Sequence, residues 1–148
     1  MERSSKGGMK LDDPRKIFTF TLFTTITNVV PKDYFEVDFI ISFLVEPSDF
    51  KKLKNKLGTS VKMLAQELGK PIEIVIYSND LEQFIRNLIR PAQVERVTIK
   101  ELPGNKKAVF IKVPPWDRGK ALGKNSYKLQ RLRFFLDKYF NIGNVRIL

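Results

Sequence analysis

Gly123-Lys124-Asn125-Ser126 places a glycine, an ammonium group and two short polar side chains in four consecutive positions. A glycine without a Cβ lets a second backbone approach closely. The unpaired N–H groups at the start of a following helix offer donors and a positive dipole end to an anion, and Lys124 adds a mobile charge. This is the outline of a phosphate-binding loop, although a helix C-cap followed by a solvated basic helix would use the same residues. Around the loop, Lys120, Lys124, Lys128 and Arg131 recur at spacings of three and four, with Arg118 just upstream, so they are expected to line one basic rim. Phosphate contacts from such groups supply affinity and little sequence reading. Specificity would then come from a groove beside Ile111 and Val113 that reads unpaired bases.

Behind the loop, Leu129, Leu132, Leu136 and Phe140 fall at i, i+3, i+7 and i+11, the apolar stripe of a helix whose other faces carry Lys128, Arg131 and Arg133. The stretch occurs twice. At an offset of 68 residues, Val45, Pro47, Asp49, Lys52, Lys56, Leu64 and Leu68 match Val113, Pro115, Asp117, Lys120, Lys124, Leu132 and Leu136 without a gap. Such self-similarity indicates two small domains of one design. Asn55-Lys56-Leu57-Gly58 is the counterpart of the loop at Gly123. Residues 1–12 read as a flexible tail, 13–77 as the first domain and 78–148 as the second.

Each domain has the order helix, strand, strand, helix, loop, helix, strand. Asp13-Pro14 starts a helix with Asp as N-cap and Pro at the first position, against the strand preference of its Phe- and Thr-rich continuation. Strands are expected over Val29–Phe35, Phe39–Val45 and Ile72–Ile76. Asp49 and Asp117 are expected to cap short helices. Asp80 caps a helix with Leu81, Phe84, Ile85 and Leu88 inward, and this helix opens the second domain without a Gly/Ser linker, so the halves should pack on each other. Val97 and Ile99, then Val109, Ile111 and Val113, flank a turn at Pro103-Gly104-Asn105, and Val145–Leu148 close the chain. The expected fold is α+β, each half a small three-stranded sheet with helices on one face.

The 148 residues carry 27 Lys and Arg against 16 Asp and Glu, a formal net charge of +11, which points to a polyanionic partner. Cysteine and histidine are absent. That removes disulfides, Cys nucleophiles, the usual zinc sites and His general bases. No catalytic constellation remains, so the chain is expected to be no enzyme and to need no cofactor or metal. No apolar run approaches the ~20 residues of a membrane span, and no signal peptide is visible; a cytoplasmic location is expected.

A helix–GxxG–helix unit beside a small sheet resembles the KH fold, whose loop clamps nucleic-acid backbone. With its helix first and closing strand last, each unit resembles the type II KH arrangement. From about Lys16 onward the chain resembles the archaeal NusA-type transcription elongation and termination factors, tandem type II KH domains. The stretches YSNDLEQFIRNLIRPAQV, VPPWDRGKALGKNS and FNIGNVRIL carry the resemblance. It implies contact with single-stranded RNA during transcription and a partnership with RNA polymerase; a docking module with little direct RNA binding is the alternative. Carried onto this chain, the RNA-binding residues are Arg118, Lys120, Gly123, Lys124, Asn125, Ser126, Lys128 and Arg131. A weaker set is Lys52, Asn55, Lys56, Gly58 and Lys62. Ser126 stands where the family loop ends in glycine, and a serine there can cap the next helix. Asn55 obstructs backbone approach in the first loop, and Leu57 offers RNA nothing polar. The second loop is therefore the better clamp. Trp116 is expected to pack between the halves.

Overall fold

A computed structural model describes residues 13–148; the tail expected over 1–12 lies outside them. The chain divides into two compact units, the first ending at Ser78 and the second beginning at Asn79.

In the first unit, α1 spans Pro14–Thr27, with the Asp13 carboxylate accepting from Arg15 N at 3.0 Å. Its threonines are reconciled with a helix by back-bonding. The hydroxyls of Thr19, Thr24 and Thr27 donate to the carbonyls of Arg15, Phe20 and Phe23, four residues earlier. The helix ends on Asn28 in the left-handed region. Strand β1 is Asp33–Val37, later than the expected Val29–Phe35, and the turn follows at Asp38-Phe39. Pro31 cannot donate to a ladder, which keeps it outside the strand. Then come β2 (Ile40–Val45), α2 (Pro47–Leu53), α3 (Leu57–Leu68, closed by left-handed Gly69) and β3 (Ile72–Ile76).

The sheet order is β1-β2-β3, antiparallel and then parallel. Ile41, Phe43 and Val45 alternate onto the face that meets Phe23, Leu53 and Leu64, and the rings of Phe23 and Phe43 lie 4.4 Å apart. Each fully buried apolar side chain of this size contributes about 1.5–3 kcal/mol.

The second unit repeats the plan with α4 (Leu81–Leu88), β4 (Arg96–Glu101), β5 (Lys107–Lys112), α5 (Arg118–Leu122), α6 (Tyr127–Phe140) and β6 (Ile142–Ile147). Its sheet order is β4-β5-β6, again antiparallel and then parallel. Asp80 caps α4 through Gln83 N at 3.0 Å. Phe84, Ile85 and Leu88 are fully buried while Leu81 is only half-buried, and Phe84 packs on Phe135 and Phe140 of α6. Strand β6 begins three residues before the expected Val145. Asn141, the left-handed cap of α6, stands 72 residues after Gly69 rather than 68, and α6 has 14 residues against the 12 of α3. The two units are thus α+β folds of one topology, each a three-stranded sheet with helices on one face.

Candidate nucleic-acid interface

The loop between α5 and α6 is built on left-handed backbone. Gly123 has φ 74 and ψ 172, a region open essentially to glycine alone. Asn125 (φ 53) and Ser126 (φ 59) are also left-handed. Gly123 N closes α5 on Gly119 O at 2.9 Å, and Ser126 N returns to Gly123 O at 3.0 Å. A Cβ on Gly123 would stand 2.8 Å from Cε1 of Tyr127 and 2.9 Å from Cγ of Lys128. The close approach that requires glycine is therefore made by the protein's own side chains. The Ser126 side chain makes no capping hydrogen bond, contrary to expectation. A left-handed residue aims its hydroxyl away from the helix N–H groups.

Two buried cations hold this hairpin in place. Lys128 is 7% exposed and donates to Arg90 O and to Lys120 O, the latter at 3.0 Å. Arg131 is fully buried, donates to Leu88 O and stacks over Tyr127. Carbonyls at the C-terminus of α4 lack helical partners, and cations satisfy them favourably. Lys128 and Arg131 are thus not members of a basic rim. They fasten α6, and through Lys120 O the end of α5, to the end of α4. The buried face of α6 is Tyr127, Lys128, Arg131, Leu132, Phe135 and Leu136, rotated from the expected leucine stripe. Asp117 is buried, but it does not cap. Its Oδ2 accepts from Gln93 N at 2.9 Å, and Oδ1 lies 3.7 Å from Lys120 Nζ. Asp49 likewise makes no cap and sits 3.6 Å from Lys52 Nζ.

What α5 and α6 wall in is a cleft of ≈ 510 Å³ on the β6 edge, lined by Arg118, Leu122, Leu129, Arg133, Asn144 and Arg146, with Ile147 and Leu148 at its end. Strand β6 pairs only with β5, so one row of its carbonyls faces away from the sheet. Arg118 Nη1 donates to Ile147 O at 2.6 Å, and Arg133 Nη2 reaches Val145 O at 3.5 Å. Three arginines thus border apolar leucine walls. The expected groove beside Ile111 and Val113 does not form, because both are buried under the helices. Sequence reasoning missed Leu122, Leu129, Arg133, Asn144 and Arg146. The one available signal was that Leu129 lies three positions past the loop, where a groove wall must begin.

Lys120, Lys124 and Asn125 are exposed, and Gly123 and Ser126 half-buried, in the hairpin that borders the cleft. The first unit differs. Between α2 and α3, residues 54–56 form a 3-10 turn; Lys54 (φ −60), Lys56 (φ −117) and Leu57 (φ −59) keep negative φ, and Asn55 has no positive φ. Leu57 and Gly58 already belong to α3, and Leu57 is half-buried rather than offered to solvent. Lys52, Asn55, Lys56, Gly58 and Lys62 are all exposed. Trp116 is 78% exposed. It stands at the corner between β5 and α5, where the 3-10 turn of Pro115–Asp117 turns it outward.

Comparison with known proteins reaches the same design. No protein-family model matches the chain. The probable transcription termination protein NusA of Methanocaldococcus jannaschii is 29% identical over 133 residues, covering 90% of this chain and 72% of its own. That of Methanococcus vannielii is 29% identical over 132 residues, covering 89% and 76%. The crystal structure of APE1850 superposes with a TM-score of 0.76 at 32% identity, covering 95% of this chain and 100% of that one. The chain belongs to the archaeal NusA-like family. Its two sheets with their helices are the tandem KH domains of that family, and the α5–α6 hairpin is the loop-bearing element of the second. Among the described residues no helix is long and apolar enough to cross a membrane, and no cluster of acids suits a metal ion.

Proposed function

We propose that this NusA-like chain is a non-enzymatic transcription factor that binds single-stranded RNA through its second KH unit while partnered with RNA polymerase. One observation carries the reading: the left-handed loop at Gly123 joins the two helices that wall an arginine-bordered cleft on an open strand edge. Lys120 and Lys124 supply phosphate contacts at the rim, with Arg118, Arg133 and Arg146 inside. Leu122 and Leu129 offer apolar walls against which an unstacked base can lie, and Asn144 has donors and acceptors for a base edge. The first unit's turn contributes less, since it has Asn55 in place of the opening glycine and no positive φ to break the chain out of its helix.

The test is binding of short single-stranded RNAs, followed by fluorescence anisotropy at several salt concentrations. Three to four phosphate contacts give a log–log salt slope of roughly −2 to −3. Lys124→Asp with Asn125→Asp should cost at least tenfold more affinity than Lys54→Asp with Lys56→Asp, a difference of about 1.4 kcal/mol. Binding that is flat with salt, or absent at low salt, would overturn the reading in favour of a protein-docking module, and equal losses from the two loops would overturn the ranking of the second loop above the first. For that second reading the exposed Trp116 is the supporting observation.

A further inference from the structure

The register of the second sheet leaves one face outside the core. Val97 and Ile99 pair with Ile111 and Val109, and these with Ile147 and Val145, on the side of the helices. The opposite face therefore presents Arg96, Thr98 and Lys100 from β4, Ala108, Phe110 and Lys112 from β5, and Asn144 and Arg146 from β6. Arg96, Thr98, Lys100, Lys112, Asn144 and Arg146 are exposed, and Phe110 is half-buried at the centre. Lys100 Nζ lies 5.7 Å from the Phe110 ring centroid. Four cations surround one aromatic ring, and none of the strand residues on this face is acidic. Among the described residues, no ion pair engages Arg96, Lys100, Lys112 or Arg146.

At the corresponding register positions the first sheet has Asp33, Phe35 and Val37, Ser42 and Leu44, and Glu73 and Val75, of which Asp33, Ser42, Leu44 and Val75 are buried, so an exposed basic face belongs to the second sheet. The second face is also continuous with the cleft, because Asn144 and Arg146 border both. A strand of RNA lying in the cleft meets Arg146 at the β6 edge and has Phe110 and Lys112 directly beyond it.

We propose that the open face of the second sheet is a further RNA-binding surface, over which the strand held in the cleft continues. This rests on the reading of the cleft as an RNA site. Arg96, Lys100, Lys112 and Arg146 would neutralise phosphates, and the Phe110 ring would stack on a base, a contact that every base can make. A KH loop clamps about four nucleotides, and a sheet face with aromatic platforms holds about two or three more.

Anisotropy with fluorescent tetrauridylate and octauridylate tests this on the full chain. The octamer should bind at least tenfold more tightly than the tetramer. Lys100→Glu with Lys112→Glu should abolish that gain while leaving tetramer affinity within twofold. Lys124→Asp with Asn125→Asp should weaken the tetramer at least tenfold. A control of equal charge change, Lys51→Glu with Lys54→Glu on the first unit, should retain the octamer's advantage. An octamer advantage that survives in the sheet variant, or falls equally in the control, overturns the proposal and leaves the cleft reading standing. A tetramer indifferent to the loop variant overturns the cleft reading instead, and with it the continuation drawn here.

Discussion

Between α2 and α3 no residue has a positive φ, whereas between α5 and α6 three of four residues, Gly123, Asn125 and Ser126, have one. The two segments occupy the same place in a repeated design, and both carry lysine at the second position. The difference begins at the first. Gly123 can adopt φ 74 with ψ 172, and that breaks the helix, ends α5 on Gly119 O and restarts the chain in a new direction. Asn55 does not make the break, so the chain passes from α2 through one 3-10 turn into α3. A shared lysine does not give the two segments one shape; the residue before it decides whether the backbone leaves its helix.

Gly123→Ala breaks this comparison most severely. The new Cβ meets Tyr127 and Lys128 at under 3 Å and demands a backbone nearly forbidden to alanine. The expected loss is about 3 kcal/mol in urea or thermal unfolding. Gly58 sits inside α3 with nothing within 4 Å of a Cβ. Gly58→Ala should therefore stabilise by about 0.5–1 kcal/mol. Equal effects at the two glycines would mean that the loops share one backbone in solution.

Ser126→Gly sharpens the contrast. Serine is held left-handed there without a side-chain hydrogen bond to the helix N–H groups, so removing its Cβ should raise stability by about 1 kcal/mol. A drop in melting temperature would show that the hydroxyl has a partner that outweighs the strain.

The smallest effect tests how each unit holds its charges. In the first, burial alone would raise the Glu36 carboxyl, but hydrogen bonds from Lys70 at 2.6 Å and Arg15 at 2.5 Å overcome this and hold it below its ordinary value. A depressed carboxylate stabilises fully above its unfolded pKa, and the contribution is lost as pH falls through the lower, folded value. Glu36→Gln should cost about 1 kcal/mol at neutral pH, and the difference from the parent chain should vanish in acid below the folded value. A cost that persists there would assign the effect to packing. The second unit's buried Lys128 and Arg131 bind carbonyls, which have no proton to gain.

Much of this was legible in the sequence. The 68-residue repeat, the Asp13 and Asp80 caps, the alternating strands and the glycine stops specify the element order, because each is a local rule with a local cause. The α6 helix shows where local rules end. Lys128 and Arg131 look like surface residues in any periodic pattern, and only the carbonyls ending α4, more than thirty residues away in sequence, explain their burial. For the same reason Leu129, which the pattern places inside, opens onto the cleft. The cleft was misplaced beside Ile111 and Val113 because strand order, which makes β6 an edge, is a tertiary fact that spacing does not carry.

The arginines on the β6 edge have a consequence for self-association. A strand with an unoccupied row of carbonyls is a template on which another chain's strand can pair. Arg118 and Arg133 fill that row with bulky, like-charged groups that repel a second copy of the same edge. On the proposed reading, the same arginines that would take a flexible anion also close the edge to a neighbouring sheet. Copies of this basic chain brought close together would then resist pairing through this edge.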